Sequence, residues 1–323
     1  MDVLSEVLRG VRLTGAMFFD ITARAPWGIG SPPTAEVRSR VMPGSEHLIA
    51  FHCVIEGEGY IRMRDLDPTP RPISAGDVIL MPHGDAHVLI SEPGHRVEPN
   101  LDLFYRPTDR TLPFCIVEGG EGAGVRMLCG YFGCDATPFN PLLDSLPTPT
   151  IIKAGPGCEL VGMHYVTKAL GDRSHERPGG ELILSKLSEL MLVQALRLHI
   201  AALPGESEGW LSGLRDPLVG RALHLMHGDP ARDWTLDVLA RAAGISRSVL
   251  AERFTRLVGE PPMTYLARWR MQLAAHALER PGVAIASVAY DVGYQSEAAF
   301  NRAFKKIVGM PPGTWRRNRQ FAA

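Results

Sequence analysis

The spacing of hydrophobic positions divides this chain near residue 156. Up to residue 155, apolar residues fall in short alternating runs bounded by glycine and proline. These runs predict strands at 35–42 (AEVRSRVM), 47–56 (HLIAFHCVIE), 59–64 (GYIRMR), 77–82 (DVILMP), 87–92 (HVLISE), 114–120 (FCIVEGG) and 125–132 (VRMLCGYF). Loops are expected at 67–76 and 91–99, where proline and glycine cluster. Many short strands at close spacing fit a small antiparallel barrel or sandwich.

Beyond residue 156 the period changes to three and four. Residues 181–200 place Ile183, Leu187, Leu190, Met191, Gln194 and Leu198 at helical steps. A shorter helix is expected at 159–170, joined to the long one by the polar turn 171–180. This pair either covers the barrel or forms a dimer face. PGESEG (204–209) has the composition of a linker. Asp216 followed by Pro217 then opens a helical region, as a capping residue with proline at the first helical position. The expected organisation is therefore 1–155 β-barrel, 156–203 helical pair, 204–210 linker and 211–323 all-helical domain. The class is α+β multidomain.

The helical domain contains one segment written twice. From Ser246 the copies run at a constant offset of 50 residues, pairing Ser246 with Ser296, Leu250 with Phe300, Phe254 with Phe304 and Tyr265 with Trp315. Gly244 and Gly293 are offset by 49, so the second copy has one extra turn residue. Each copy reads as a helix, a glycine turn and a second helix, joined by one longer helix over 264–280. Two such units suit two successive major grooves.

Charge distribution changes the picture more than net charge does. The formal net charge is −1, yet residues 211–323 carry +7 and the remainder −8. A basic third on an acidic remainder suits a DNA-binding module attached to something else. No run of apolar residues is long enough to span a membrane, and the N-terminus has no secretory pattern, so a cytoplasmic protein without a membrane partner is expected. Five cysteines (Cys53, Cys115, Cys129, Cys134, Cys158) lack CxxC spacing, which argues against a disulfide framework.

With Leu250 and Phe254 inward, helical geometry turns Arg247, Ser248, Ala251, Glu252 and Thr255 outward. The matching set is Glu297, Ala298, Asn301, Arg302 and Lys305. Arg302 suits guanine and Asn301 adenine; Glu252 can accept from cytosine, and Ser248 tolerates several bases. Lys305, Lys306, Arg316 and Arg317 read as phosphate contacts. The stretches GISRSVLAERFTRLVGEPPMTYLARWRMQLAAHAL and IASVAYDVGYQSEAAFNRAFKKIVGMPPGTWRR resemble the AraC/XylS family of bacterial transcription regulators. That resemblance implies two helix-turn-helix subdomains bridged by a long helix. It places base-reading slots on Ser248, Glu252, Ala298, Ala299 and Arg302.

In the first half, GDVILMPHGDAHV resembles the second cupin motif, whose final His (here His87) faces the barrel interior as a metal ligand. His52 lies in the region of the first motif, whose usual His-x-His pair is reduced to His52-x-Val54. A substitute set of His52, His87 and Cys129 or Cys134 is a candidate for zinc or another transition metal. Strand alternation sends Cys53 to the opposite face from His52. The alternative is that both histidines line a chamber for an organic effector. A Cys129–Cys134 redox pair is a further candidate. The leading reading is a DNA-binding transcription regulator, with promoter DNA, RNA polymerase, a small-molecule effector and a second copy of the chain as partners. The competing reading is a metal-dependent cupin enzyme with a helical appendage.

Overall fold

Leu48, Ala50, His52 and Val54 alternate with Ile49, Phe51 and Cys53 along one strand, and both sets are buried. Such a strand needs cover on each face. The computed structural model, which describes residues 2–64, 66–98, 101, 113–153, 161–171, 176–205 and 207–320, supplies it. The chain forms two compact units. One comprises Leu13–Cys134 and Leu146–Ala201; the other comprises Met1–Arg12, Asp135–Ser145 and Ala202–Ala323. These boundaries differ from the expected 1–155 and 211–323. Residues 1–12 and 135–145 of the first expected domain group with the helical unit, as do residues 204–210, while the helical pair groups with the barrel.

In chain order the elements begin with α1 (Val3–Gly10), β1 (Thr14–Arg24), β2 (Gly28–Ser31), α2 (Thr34–Val41), β3 (His47–Glu56) and β4 (Glu58–Met63). There follow β5 (Arg71–Ser74), β6 (Val78–Met81), β7 (His87–Ile90), β8 (Phe114–Gly119), β9 (Gly124–Cys134), α3 (Pro141–Ser145) and β10 (Thr150–Ile152). The helical remainder is α4 (Val161–Gly171), α5 (Gly180–Ala202), α6 (Trp210–Arg215), α7 (Pro217–Gly228), α8 (Leu236–Ala243), α9 (Arg247–Val258), α10 (Pro262–Glu279), α11 (Ile285–Asp291), α12 (Glu297–Val308) and α13 (Pro312–Gln320).

The barrel unit has two sheets, ordered β10-β6-β3-β9-β1-β8 and β2-β7-β4-β5. All pairings are antiparallel except β1 with β8. One set of alternating residues forms the interior, with Ala50, Val54, Ile79, Met127 and Tyr131 from one sheet and Ile29, Ile61 and Leu89 from the other. On the outer face, Phe51 stacks on Phe132 with centroids 4.5 Å apart. Gly15 pairs with Phe132 on that same face, and a side-chain carbon there would collide with Ser188 Oγ of α5. The long helix therefore covers the sheet with one face, burying Leu184, Ser188, Met191, Leu192, Ala195 and Leu196.

Three expectations fail here. Residues 35–42 are not a strand: Thr34, Val37 and Val41 are buried at three- and four-residue steps on α2, and the charged residues between them face water. The expected loop 67–76 contains β5, whose Ile73 reaches the core. Helix α1 was not expected at all, though Asp2 caps it by accepting from Ser5 N at 2.9 Å. Cys158, the start of the expected 159–170 helix and residues 172–175 of the expected turn lie outside the described residues.

Candidate nucleic-acid interface and barrel chamber

The two copies of the repeated segment fold alike because the same local signals recur. Ser246 caps α9 by accepting from Val249 N at 3.3 Å, and Ser296 caps α12 by accepting from Ala299 N at 3.2 Å. Gly244 and Gly293 take φ of 78° and 87°, the left-handed turn that a side chain disfavours. Leu250, Phe254 and Tyr265 are fully buried in the first copy, and Phe300, Phe304 and Trp315 fill the matching positions in the second. The copies differ at their first helix. Thr235 caps α8 through Val238 N, whereas Ala284, at the capping position of α11, provides no side-chain cap. Arg316 steadies the chain just before it, donating from Nη1 to Val283 O at 2.8 Å.

Helix α10 carries side chains of both halves, with Tyr265, Leu266 and Trp269 near its start and Met271, Ala274, Ala275 and Leu278 further along, all buried. The outward face of each second helix follows from the buried triad. On α9, Ser248, Val249, Glu252 and Arg256 are exposed; on α12, Ala298, Arg302, Lys305 and Lys306 are. Of the residues expected to meet DNA, Ser248, Glu252, Ala298, Arg302, Lys305 and Lys306 thus stand on one exposed face per copy. Two need correction. Asn301 lies only 100° from the buried Phe300 along the helix, and its Oδ1 is buried without a partner. A bidentate adenine contact needs both ends of the amide free, so Asn301 is not arranged as a reader. Arg316 is half-buried and tied to Val283, which makes it first an anchor of α11.

Val249 and Arg256 are the residues missed from sequence. Both lie about 100–120° from the centre of the buried stripe, and a helical wheel centred on Leu250, Phe254 and Leu257 would have found them.

Inside the barrel, His52 on β3 and His87 on β7 meet across the interior with their Nε2 atoms 2.7 Å apart. His87 Nδ1 donates to Asp85 O at 2.8 Å, because a carbonyl can only accept. His87 Nε2 is therefore a bare acceptor, and the proton between the rings belongs to His52 Nε2. That leaves His52 Nδ1 as a lone pair, buried and without a partner. Burial depresses both histidines, His87 to about 4 and His52 well below its ordinary value, the charge of His87 adding to the latter. The pair is neutral near pH 7.

Cys129 is in register with His52 and shares its interior face. Burial pushes its thiol well up, with Cys53 and Asp20 adding to the shift. Cys134 is five residues further along β9, opposite His47 on the outer face. It can join neither His52 nor Cys129, which corrects both its placing as a ligand and its redox pairing. The remaining set does not fit a metal centre. Two imidazoles sharing a tetrahedral ion stand about 3.3 Å apart at their nitrogens, whereas these sit at direct hydrogen-bond distance. Among the described residues no cluster of three His, Cys, Asp or Glu side chains is placed to hold an ion. His52 and Cys129 instead border a chamber of about 20 Å³, lined also by Phe19, Ile21, Leu89 and Tyr131.

A cupin family model matches residues 2–201, and a helix-turn-helix domain model matches residues 239–318. A putative AraC-like transcription regulator of Streptomyces lividans is 33% identical over 320 residues, covering 98% of this chain and 99% of that one. The chain belongs to the AraC family of transcription regulators. Another relative of this AraC-family chain, the HTH-type transcriptional regulator MtrA of Neisseria gonorrhoeae, is 28% identical over 321 residues, covering 98% of each. Among solved structures, the DNA-binding domain of AdpA in complex with a target DNA is 25% identical and covers 33% of this chain and 95% of that one, with a TM-score of 0.31. Relatives aligned along the whole AraC-family chain are named as regulators, which sets aside the cupin-enzyme reading. Among the described residues no helix is long and apolar enough to cross a membrane.

Proposed function

We propose that this regulator binds promoter DNA in the cytoplasm as a homodimer, and that its barrel senses a small organic effector which modulates that binding. The observation that carries the sensor reading is the bare lone pair of His52 Nδ1 beside an enclosed, mostly apolar chamber. A buried acceptor without a partner costs about 1–3 kcal/mol; a ligand that donates to it recovers that loss. The effector that fits is small, largely apolar and carries one hydrogen-bond donor, as a phenol or short alcohol does. The chamber has room for about one water, so entry requires Phe19, Ile116 and Leu89 to part. That displacement is the proposed signal, favouring one placement of the DNA-binding halves over another.

The dimer reading rests on α5, which leaves Leu182, Ile183 and Leu190 exposed on the side away from the sheet. Ile183, Leu187 and Leu190 follow the four- and three-residue steps of a helix seam. Promoter-bound dimers would then meet RNA polymerase. The test is footprinting of the full-length protein on the DNA upstream of its own gene, with mass spectrometry of the native protein for a retained small molecule. Protection of about two helical turns per protomer supports the reading; absence of any protected DNA overturns it.

A further inference from the structure

We infer that Arg12, Asp135 and Gln272 are positioning residues for DNA recognition: Arg12 and Asp135, from segments outside the repeated region, clamp α10, the helix that joins the two helix-turn-helix copies, and Gln272 on α10 receives those segments. Arg268, Gln272, His276 and Glu279 lie along one stripe of α10 at four-, four- and three-residue steps. On a solvated helix such a stripe would pair with itself or with water. Here its members are met by residues 10–12, 135–144 and 319.

Gln272 is fully buried. Its Oε1 accepts from Phe139 N at 2.9 Å and its Nε2 donates to Gly10 O at 3.1 Å. One amide thus satisfies backbone groups of two segments that are 129 residues apart in the chain. A turn earlier, the Arg268 guanidinium lies 4.1 Å over the Phe139 ring and reaches Asp144 at 3.3 Å. A turn later, His276 Nε2 meets Asp135 Oδ2. Arg12 then closes the set. It donates to both carboxylate oxygens of Asp135 at 2.8 and 2.9 Å and to Glu279 at 2.5 Å. Glu279 also pairs with Arg319 at 3.8 Å. Asp135 N donates to Val11 O at 2.9 Å, so the two segments bind each other as well as α10.

Two further observations show a built contact. Gly10 sits where a side-chain carbon would lie 2.5 Å from Trp269 Cη2, so the end of α1 rests directly on the buried face of α10. Among the described non-glycine residues, Arg12 is the one with positive φ, at 50°. A residue other than glycine holds that conformation only when its surroundings impose it. The separation and tilt of the two recognition helices are set by α10. Fixing α10 along about three turns therefore fixes the spacing of DNA that the copies can read together. None of the three residues lies on the exposed faces of α9 or α12, so they act through α10.

The test uses full-length protein and two DNA probes: the segment protected upstream of the chain's own gene, and a random duplex of equal length. Arg12→Gly is the informative variant, since it removes the guanidinium while relieving the positive φ. Asp135→Asn is the second variant, nearly isosteric with the native side chain. Arg9→Ala, which breaks only the local pair with Glu6, is the control. The expected result is a loss of about tenfold in preference for the protected segment over the random duplex. Binding to the random duplex and the salt dependence should be unchanged, and Arg9→Ala should behave as wild type. An unchanged preference in folded Arg12→Gly and Asp135→Asn overturns the inference, as does an equal loss on both duplexes. If neither variant folds, exchange of the Phe139 amide in the wild-type chain decides it: protection unaltered by operator binding counts against a role in recognition, and increased protection supports one.

Discussion

Glu252 and Arg302 occupy the same position on two copies of one helix, both exposed, and they carry opposite charge. The scaffold beneath them is repeated, with Phe254 and Phe304 both fully buried. The exposed face is not. Arg302→Ala should relax specificity at one base pair and cost about 1–3 kcal/mol of binding. Glu252→Ala should instead raise affinity for random DNA, because it removes a negative charge from the exposed face of α9, which is proposed to meet DNA. Competition binding against single-base operator variants separates these outcomes. A uniform loss in Arg302→Ala would show a phosphate contact rather than a base contact.

Asp216 serves two structures at once. Its Oδ1 caps α7 by accepting from Leu218 N and Val219 N at 3.0 and 2.9 Å, and its Oδ2 accepts from Arg253 Nε at 2.7 Å. Loss of a helix cap alone costs about 0.5–2 kcal/mol. Asp216→Ala should reach the upper end of that range, since Arg253 also loses its partner. Asp216→Asn should cost less, because it keeps the cap. Urea melts monitored by helical signal check this, and equal destabilisation of the two variants would contradict it.

Burial of three histidines predicts an acid limb in stability. Burial holds His227 down at about 3, with His224 adding to it, while His87 sits at about 4 and His52 is lower than usual. In the unfolded chain each takes a proton below about 6.5. The unfolded state therefore binds more protons as pH falls from 6.5 towards the folded values, and stability is lost across that window. Each group contributes a slope of up to about 1.4 kcal/mol per pH unit. His227 reports on the helical unit, and His52 with His87 on the barrel. A melting temperature that stays level from pH 7 to pH 5 would contradict the neutral pairing.

The His52–His87 geometry also predicts indifference to chelators. Dialysis against EDTA should leave melting temperature and DNA binding unchanged, and elemental analysis should find less than one metal per chain. Stoichiometric zinc lost on His52→Ala would show that the rings separate to admit an ion.

A charge placed on the exposed stripe of α5 tests the dimer. Leu190→Lys should shift sedimentation from dimer to monomer without lowering the barrel's melting temperature, since Leu190 is exposed while its neighbours Met191 and Leu192 are buried. A monomeric wild type would remove the basis for this reading.

What could be read from sequence was whatever repeats or alternates. The offset of 50 residues gave the buried positions of both recognition helices, and β3 and β7 were legible from alternation. Misreadings came where period was ambiguous. In 35–42, three apolar positions fit a short helix as well as a strand, and tertiary packing of Thr34, Val37 and Val41 decided it. Asn301 was placed outward by helical angle, but it sits at the edge of the buried stripe, where its Oδ1 is covered. Cys134 differs from Cys129 by an odd number of strand residues, which alternation alone should have separated. The clamp on α10 was out of reach. Gly10 and Gln272 are 262 residues apart, and no local pattern announces such a pair.

The helical unit takes α1 from before the barrel's strands in sequence and α6 to α13 from after them. Its contacts span wide sequence separations, 267 residues between Arg12 and Glu279. Closing so long a loop is entropically slow. The barrel can therefore fold during synthesis, while α1 waits for α10 to emerge before finding its place. The DNA-reading unit would then complete its geometry only when α10 joins α1, after the strands that separate them in sequence have been made.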